Sequence, residues 1–122
     1  MDFTILIVDD SPINLGILKT FLSTLPVQIL TATSSEQALE IMQKEHISLL
    51  LNDIMMDGDL RSGVELARQA RAMSKYALLP ILAITCDGNF TNTEDEIFDD
   101  VIYRPLSAQR LVEQVSQYLP TF

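Results

Sequence analysis

The feature that most constrains this chain is a recurrence of short apolar runs, each stopping abruptly at polar or charged residues. Residues 3–8 read FTILIV and stop at Asp9-Asp10. Residues 47–52 read ISLLLN and stop at Asp53, residues 79–85 read LPILAIT, and residues 101–103 read VIY and stop at Arg104-Pro105. Apolar residues on both alternating sets mark strands covered on both faces, the condition of a parallel sheet. Residues 27–31 (VQILT) alternate only partly, which predicts an edge strand. Pro80 is tolerable because it lies at the beginning of its run.

Helical signals stand between these runs. Ser11-Pro12 predicts a helix with Ser11 as N-cap and Pro12 in the first turn. Ile13, Ile17, Phe21 and Leu25, joined by Leu18 and Leu22, supply its apolar stripe, and Pro26 ends it. Ser34 with Gln37 forms a capping box for a helix carrying Ala38, Leu39, Ile41 and Met42 and closing near Glu45. Ser62 with Glu65 forms a second box, predicting a helix over residues 63–73. Residues 86–100 are polar and acidic and predict one or two helical turns around residues 93–98. Ser107 caps a last helix with Leu111, Val112, Val115, Tyr118 and Leu119 on one face, ended by Pro120.

Five alternations of strand and helix predict an α/β fold, a parallel sheet with helices on both faces and right-handed crossovers. The expected form is a flavodoxin-like (βα)5 three-layer sandwich with strand order 2-1-3-4-5. Its switch point lies between the first and third strands, which end in Asp9-Asp10 and Asp53. Ligands bind open α/β sheets at that crevice.

With 122 residues the chain fits one domain, expected to span residues 1–122 with no effector domain. A net charge of -9 argues against nucleic-acid partners and anionic membrane surfaces, and suits carboxylates that expect a cation. The single cysteine, Cys86, cannot form an internal disulfide. The first residues lack a basic signal region, and no apolar run could span a bilayer. A cytoplasmic location is expected.

Three carboxylates at one sheet edge repel one another, so the site must raise a pKa or bind a cation. Hard oxygen donors with room for water suit Mg²⁺. A carboxylate beside Mg²⁺ can attack phosphorus and become an aspartyl phosphate. Thr85 offers a hydroxyl and Arg104 a permanent cation at the ends of two further strands.

These residues carry a resemblance that covers essentially the whole chain. ILIVDDSPINLGIL, LLLNDIMMDG, LPILAIT and DDVIYRPL, in this order and spacing, resemble the motifs of the receiver domain of two-component response regulators, and are similar to receivers attached to hybrid histidine kinases. The resemblance implies Asp53 as phosphoacceptor and Asp9, Asp10, Asp53 and the Met55 backbone carbonyl as Mg²⁺ ligands. Thr85 and Arg104 would contact the phosphoryl group, and the Arg104-Pro105 bond would be cis. The implied partner is a histidine kinase or histidine phosphotransfer protein, with weak homodimerisation as a further option. A signalling phosphoacceptor rather than a dedicated enzyme is expected.

Departures from the family pattern define an alternative. Asp57 stands where the family has proline, and the loop around Asp59 looks lengthened. Arg104 replaces an invariant lysine, keeping the charge but not the geometry. Val101 stands where a switching aromatic is usual, while Tyr103 lies two residues on and on the same strand face. These changes suit an atypical receiver acting as a phosphorylation-independent interaction module. An aspartate-nucleophile phosphohydrolase fits less well because DDS replaces Asp-x-Asp, and a flavodoxin fits less well because the first loop is acidic where a phosphate cradle would be needed. His46 reads as a surface residue, and Cys86 as packing.

Overall fold

Alternate side chains of the inner runs go to opposite faces of one sheet, and each face is covered by a pair of helices. The structure, a computed structural model, describes residues 3–54, 60–85 and 97–120. Its strands are β1 (Thr4–Val8), β2 (Gln28–Ala32), β3 (Leu49–Asp53), β4 (Ile81–Thr85) and β5 (Asp100–Tyr103). Its helices are α1 (Pro12–Leu22), α2 (Ser35–Lys44), α3 (Leu60–Ala72) and α4 (Ala108–Ser116). All neighbouring strands pair in parallel, in the expected order β2-β1-β3-β4-β5.

The period of two along the strands separates two cores. Leu6, Val8, Leu50, Ile81 and Ala83 pack with Ala38 and Met42 of α2 and Leu66, Ala67 and Ala70 of α3. Ile5, Ile7, Leu49, Leu51, Leu82 and Ile84 pack with Leu15, Leu18 and Leu22 of α1 and Leu111 and Val115 of α4. Each such Leu or Ile, fully buried, contributes roughly 1.5–3 kcal/mol relative to exposure. Together they make the central strands a rigid platform for whatever follows their last residues.

The caps hold at three helices. Ser11, Ser34 and Ser107 accept hydrogen bonds from the backbone N–H groups of Asn14 (3.3 Å), Gln37 (3.1 Å) and Arg110 (3.1 Å). Pro12 opens α1 as expected. Gln37 Oε1 reaches back to accept from the N–H of Thr33 (2.8 Å), one residue before Ser34, the N-cap of α2. Arg104-Pro105 is cis.

Two expectations are corrected. Of the α1 stripe expected on Ile13, Ile17, Phe21, Leu25, Leu18 and Leu22, the last two are buried and Phe21 and Leu25 pack against the same core, but Ile13 and Ile17 are 76% and 44% exposed, and Leu15 is buried in their stead. This helix carries more apolar residues than its buried face holds, and packing on the sheet decides which are covered. The third helix begins at Leu60, so Ser62 lies inside it and is not its N-cap. Gly63, inside the helix, allows a close approach to the end of β3. Of the helix expected over residues 93–98, Ile97 and Phe98 are described and neither is helical. Among the described residues, no helix is long and apolar enough to cross a membrane.

A short 3-10 turn, Ser74–Tyr76, occupies the connection before β4. It closes the amino edge of the sheet, because Tyr76 and Lys75 both reach the last carbonyls of α2. His46 is exposed, as expected, and stacks on Tyr76 with ring centroids 6.5 Å apart.

Candidate functional site

At the carboxyl edge, β1 and β3 lie side by side with Val8 opposite Asn52, so the residues that follow each strand share one crevice. Asp9 follows β1 and is fully buried. Its backbone N–H donates to Ala32 O (3.1 Å), which fixes the main chain against β2. Asp53 is the last residue of β3 and is 9% exposed, while Asp10 is exposed. One carboxylate oxygen from each of Asp9, Asp10 and Asp53 lies within 4.8 Å of the others.

The position of Asp53 is fixed by a strut that sequence reading did not identify. Asn52, fully buried beside it, donates from Nδ2 to Gly63 O (2.8 Å). The N–H of Gly63 donates to Ile54 O (3.3 Å) and that of Ile54 to Ile84 O (3.2 Å). A Cβ on Gly63 would collide with Ile54 Cα and stand 2.8 Å from Asp53 O. The start of α3 is therefore seated directly on the backbone that carries Asp53. Asn52 Oδ1 has no hydrogen-bond partner among the described residues. Nothing but the polar break in an apolar run hinted at Asn52, and nothing local revealed its partner eleven residues on.

Thr85 ends β4, is buried, and accepts at its carbonyl oxygen from the N–H of Arg104 (2.8 Å). The Arg104 side chain extends from the end of β5 past the ends of β4 and β3 and donates from Nη2 to Asp9 Oδ2 (3.0 Å). The Arg104 side chain is 25% exposed and that of Asp9 not at all. Asp9 Oδ1 accepts from the N–H of Ser11 (2.9 Å), so both its oxygens have donors. The pairing of Arg104 with Asp9 was not legible in the sequence, where the two are 95 residues apart.

Burial is the main cause lifting the Asp9 carboxyl above its ordinary value of 3.8. The charges of Asp53 and Asp10 push in the same direction, while the Ser11 N–H and Arg104 pull it back. Three carboxylates so close together, one of them fully buried, suit a cation. Carboxylate oxygens gathered within 4.8 Å of one another are hard donors of the kind Mg²⁺ takes. The donor types fit. Met55, Asp57, Asp59 and Cys86, singled out from the sequence, lie outside the described residues.

The sequence-predicted residues therefore share one edge, with Asp9, Asp10 and Asp53 clustered, Thr85 and Arg104 joined through their backbones, and Arg104 bound to Asp9. Comparison with known proteins points the same way. The family model described as response regulator receiver domain matches residues 5–116. The chain is 28% identical over 118 residues to the sensor protein GacS of Pseudomonas syringae pv. syringae, covering 93% of this chain and 13% of that protein. It is 34% identical over 86 residues to the sensor histidine kinase RcsC of Escherichia coli, covering 70% of this chain and 9% of that protein. The chain thus spans a small part of the length of these relatives. The response regulator protein TrrA of Thermotoga maritima, solved in complex with Mg(2+)-BeF, superposes with a TM-score of 0.83 at 28% identity, over 96% of this chain and 99% of that one. With a family model matched across almost its full length, this chain belongs to the response regulator receiver domains of two-component signalling.

Proposed function

We propose that the chain acts as a cytoplasmic phosphorelay receiver, a single unit that takes a phosphoryl group from a phosphohistidine partner onto Asp53 with Mg²⁺. The partner is a histidine kinase or a histidine phosphotransfer protein. The observation that carries the reading is the convergence of Asp9, Asp10 and Asp53 at the end of a rigid strand pair. TrrA, solved with Mg(2+)-BeF, supports it by analogy.

In this reading an Asp53 oxygen forms a bond to phosphorus as the phosphorus–nitrogen bond of the phosphohistidine breaks. The electron pair leaves with the imidazole nitrogen. Asp9, Asp10, Asp53 and the Met55 carbonyl would hold Mg²⁺, which neutralises the incoming phosphoryl charge. Thr85 supplies a hydroxyl donor and Arg104 a fixed positive charge for the phosphoryl oxygens. The Asn52–Gly63 strut keeps Asp53 oriented, so little reorganisation accompanies the attack.

Incubation with Mg²⁺ and a small acyl phosphate donor is expected to add one hydroxylamine-labile phosphate, seen by intact mass. Asp53→Asn is expected to abolish it. An unchanged mass for the wild-type chain sinks the reading. The alternative, a module that binds its partner irrespective of phosphate, is favoured by one observation, the engagement of Arg104 by Asp9. It predicts equal partner affinity for the unmodified wild type, the phosphodonor-treated wild type and Asp53→Asn.

A further inference from the structure

The basic residue of the site already has an occupation. Arg104 holds Oδ2 of the one carboxylate in the cluster that is wholly shut off from water. Ser11 holds the other oxygen, so Asp9 is fully engaged by the protein's own donors. Asp9 cannot turn away, because its main chain is tied to Ala32 and its carboxylate to the start of α1. Arg104 differs in this respect. Its backbone is pinned to Thr85 and followed by Pro105, but its side chain is one-quarter exposed, where that of Asp9 is wholly buried.

A metal ion on Asp9 and a guanidinium on the same carboxylate would stand within about 5 Å of each other. Like charges that close in a largely buried crevice repel strongly. We infer that Arg104 is a latch on the cation site, a resident counter-cation that a divalent ion must displace from Asp9 Oδ2 in order to bind. Arg104 thereby sets metal affinity through the reach of its side chain as well as through its charge. Cation entry and release of the Arg104 side chain from Asp9 are then one event, while the Arg104 backbone stays pinned to Thr85. The latch rests on the metal-dependent reading of the site only for the identity of the cation.

The test is calorimetric titration of the full chain with MgCl2 at constant ionic strength, with no phosphodonor present. Arg104→Gln is expected to bind Mg²⁺ about tenfold more tightly than wild type or better. Arg104→Lys retains the charge on a shorter side chain without the fork, and is expected to bind severalfold more tightly than wild type. Arg104→Lys binding like wild type would mean that charge alone matters, and overturns the latch. Equal affinities for wild type and Arg104→Gln overturn it too, as does failure of every variant to bind.

A second measurement needs no variant. The side-chain ¹⁵N resonances of Arg104 in the wild-type chain are expected to move toward solvent-averaged values as Mg²⁺ saturates the site. Resonances unchanged at saturation overturn the latch. Failure of phosphorylation is read separately by intact mass, so a chain that binds Mg²⁺ and releases Arg104 but takes no phosphate retains the latch and loses the phosphoacceptor reading.

Discussion

At the amino edge of the sheet, the final carbonyls of α2 are covered twice over. Tyr76 Oη lies 2.7 Å from Met42 O and 2.8 Å from Glu45 O, Lys75 Nζ lies 3.0 and 2.9 Å from the same two atoms, and the N–H of Ile47 donates to Tyr76 Oη (3.2 Å). Arg71 performs a similar service beside it. It donates to Ala77 O (3.4 Å), Leu79 O (2.6 Å), Ile97 O (2.8 Å) and Asp99 Oδ2 (3.3 Å), binding α3 to the entrances of β4 and β5. At the carboxyl edge the balance is reversed. Asp9, Asn52, Asp53 and Thr85 are buried there, three carboxylates crowd together, and Asn52 Oδ1 lacks a partner among the described residues. Donors from Tyr76, Lys75 and Arg71 cover backbone carbonyls at one edge, while buried acids are gathered at the other.

The sharpest way to break this contrast is at Gly63, where the carboxyl edge is mechanically seated. In the interior of an ordinary helix, Gly→Ala stabilises by about 1 kcal/mol. Here the added Cβ meets backbone, which cannot step aside. Gly63→Ala is therefore expected to destabilise by about 1–3 kcal/mol, and Gly63→Val by more, in denaturant unfolding. Both should also slow phosphorylation of Asp53, whose carbonyl the new atom would crowd. A stabilised Gly63→Ala would show that α3 floats free of the β3 end.

The opposite edge gives the next effect. Tyr76→Phe removes one hydroxyl, leaving Lys75 on the two carbonyls but depriving the buried N–H of Ile47 of its acceptor. A loss of about 1–2 kcal/mol is expected, with Mg²⁺ affinity and phosphate uptake unchanged. Altered phosphate uptake would show that the two edges are coupled through β3 and are not separable.

These positions also show what the sequence could and could not disclose. The strands were legible because apolar residues on both faces leave a parallel sheet as the natural solution, and the order followed from the alternation with helices. The carboxylates were legible because they end strands. The edge of the buried face of α1 was not, since Ile13 and Ile17 are as apolar as Leu15, and only packing on the sheet decides between them. The start of α3 was misplaced because Ser62 and Glu65 mimic a capping box, while the contact that fixes the helix belongs to Gly63 and Ile54. Tyr76, Arg71 and the Arg104–Asp9 bridge act across 29, 28 and 95 residues, and side-chain reach over such separations leaves no periodic trace in the chain.

The smallest expected effect bears most directly on whether the carboxyl edge carries a net penalty. The Asp9 carboxyl is raised above 3.8, mainly by burial. As pH rises through 3.8 the unfolded chain loses this proton first, while the folded chain keeps it until the raised value is passed. The folded state binds more protons in that window, so Asp9 lowers unfolding stability as pH increases across it and by a constant amount above it. An amide cannot ionise, so Asp9→Asn escapes the loss. Arg104 loses its ionic partner in that variant, but its side chain is 25% exposed. Measured by denaturant unfolding in chelator-treated buffer, Asp9→Asn should gain stability relative to wild type as pH rises from 3.8 through the raised value, with a plateau above it. A relative stability that is flat or runs the other way would mean that Ser11 and Arg104 hold Asp9 more firmly than burial and repulsion oppose it. The carboxyl edge would then be as well satisfied as the amino edge, and Arg104 would be a fixed structural partner.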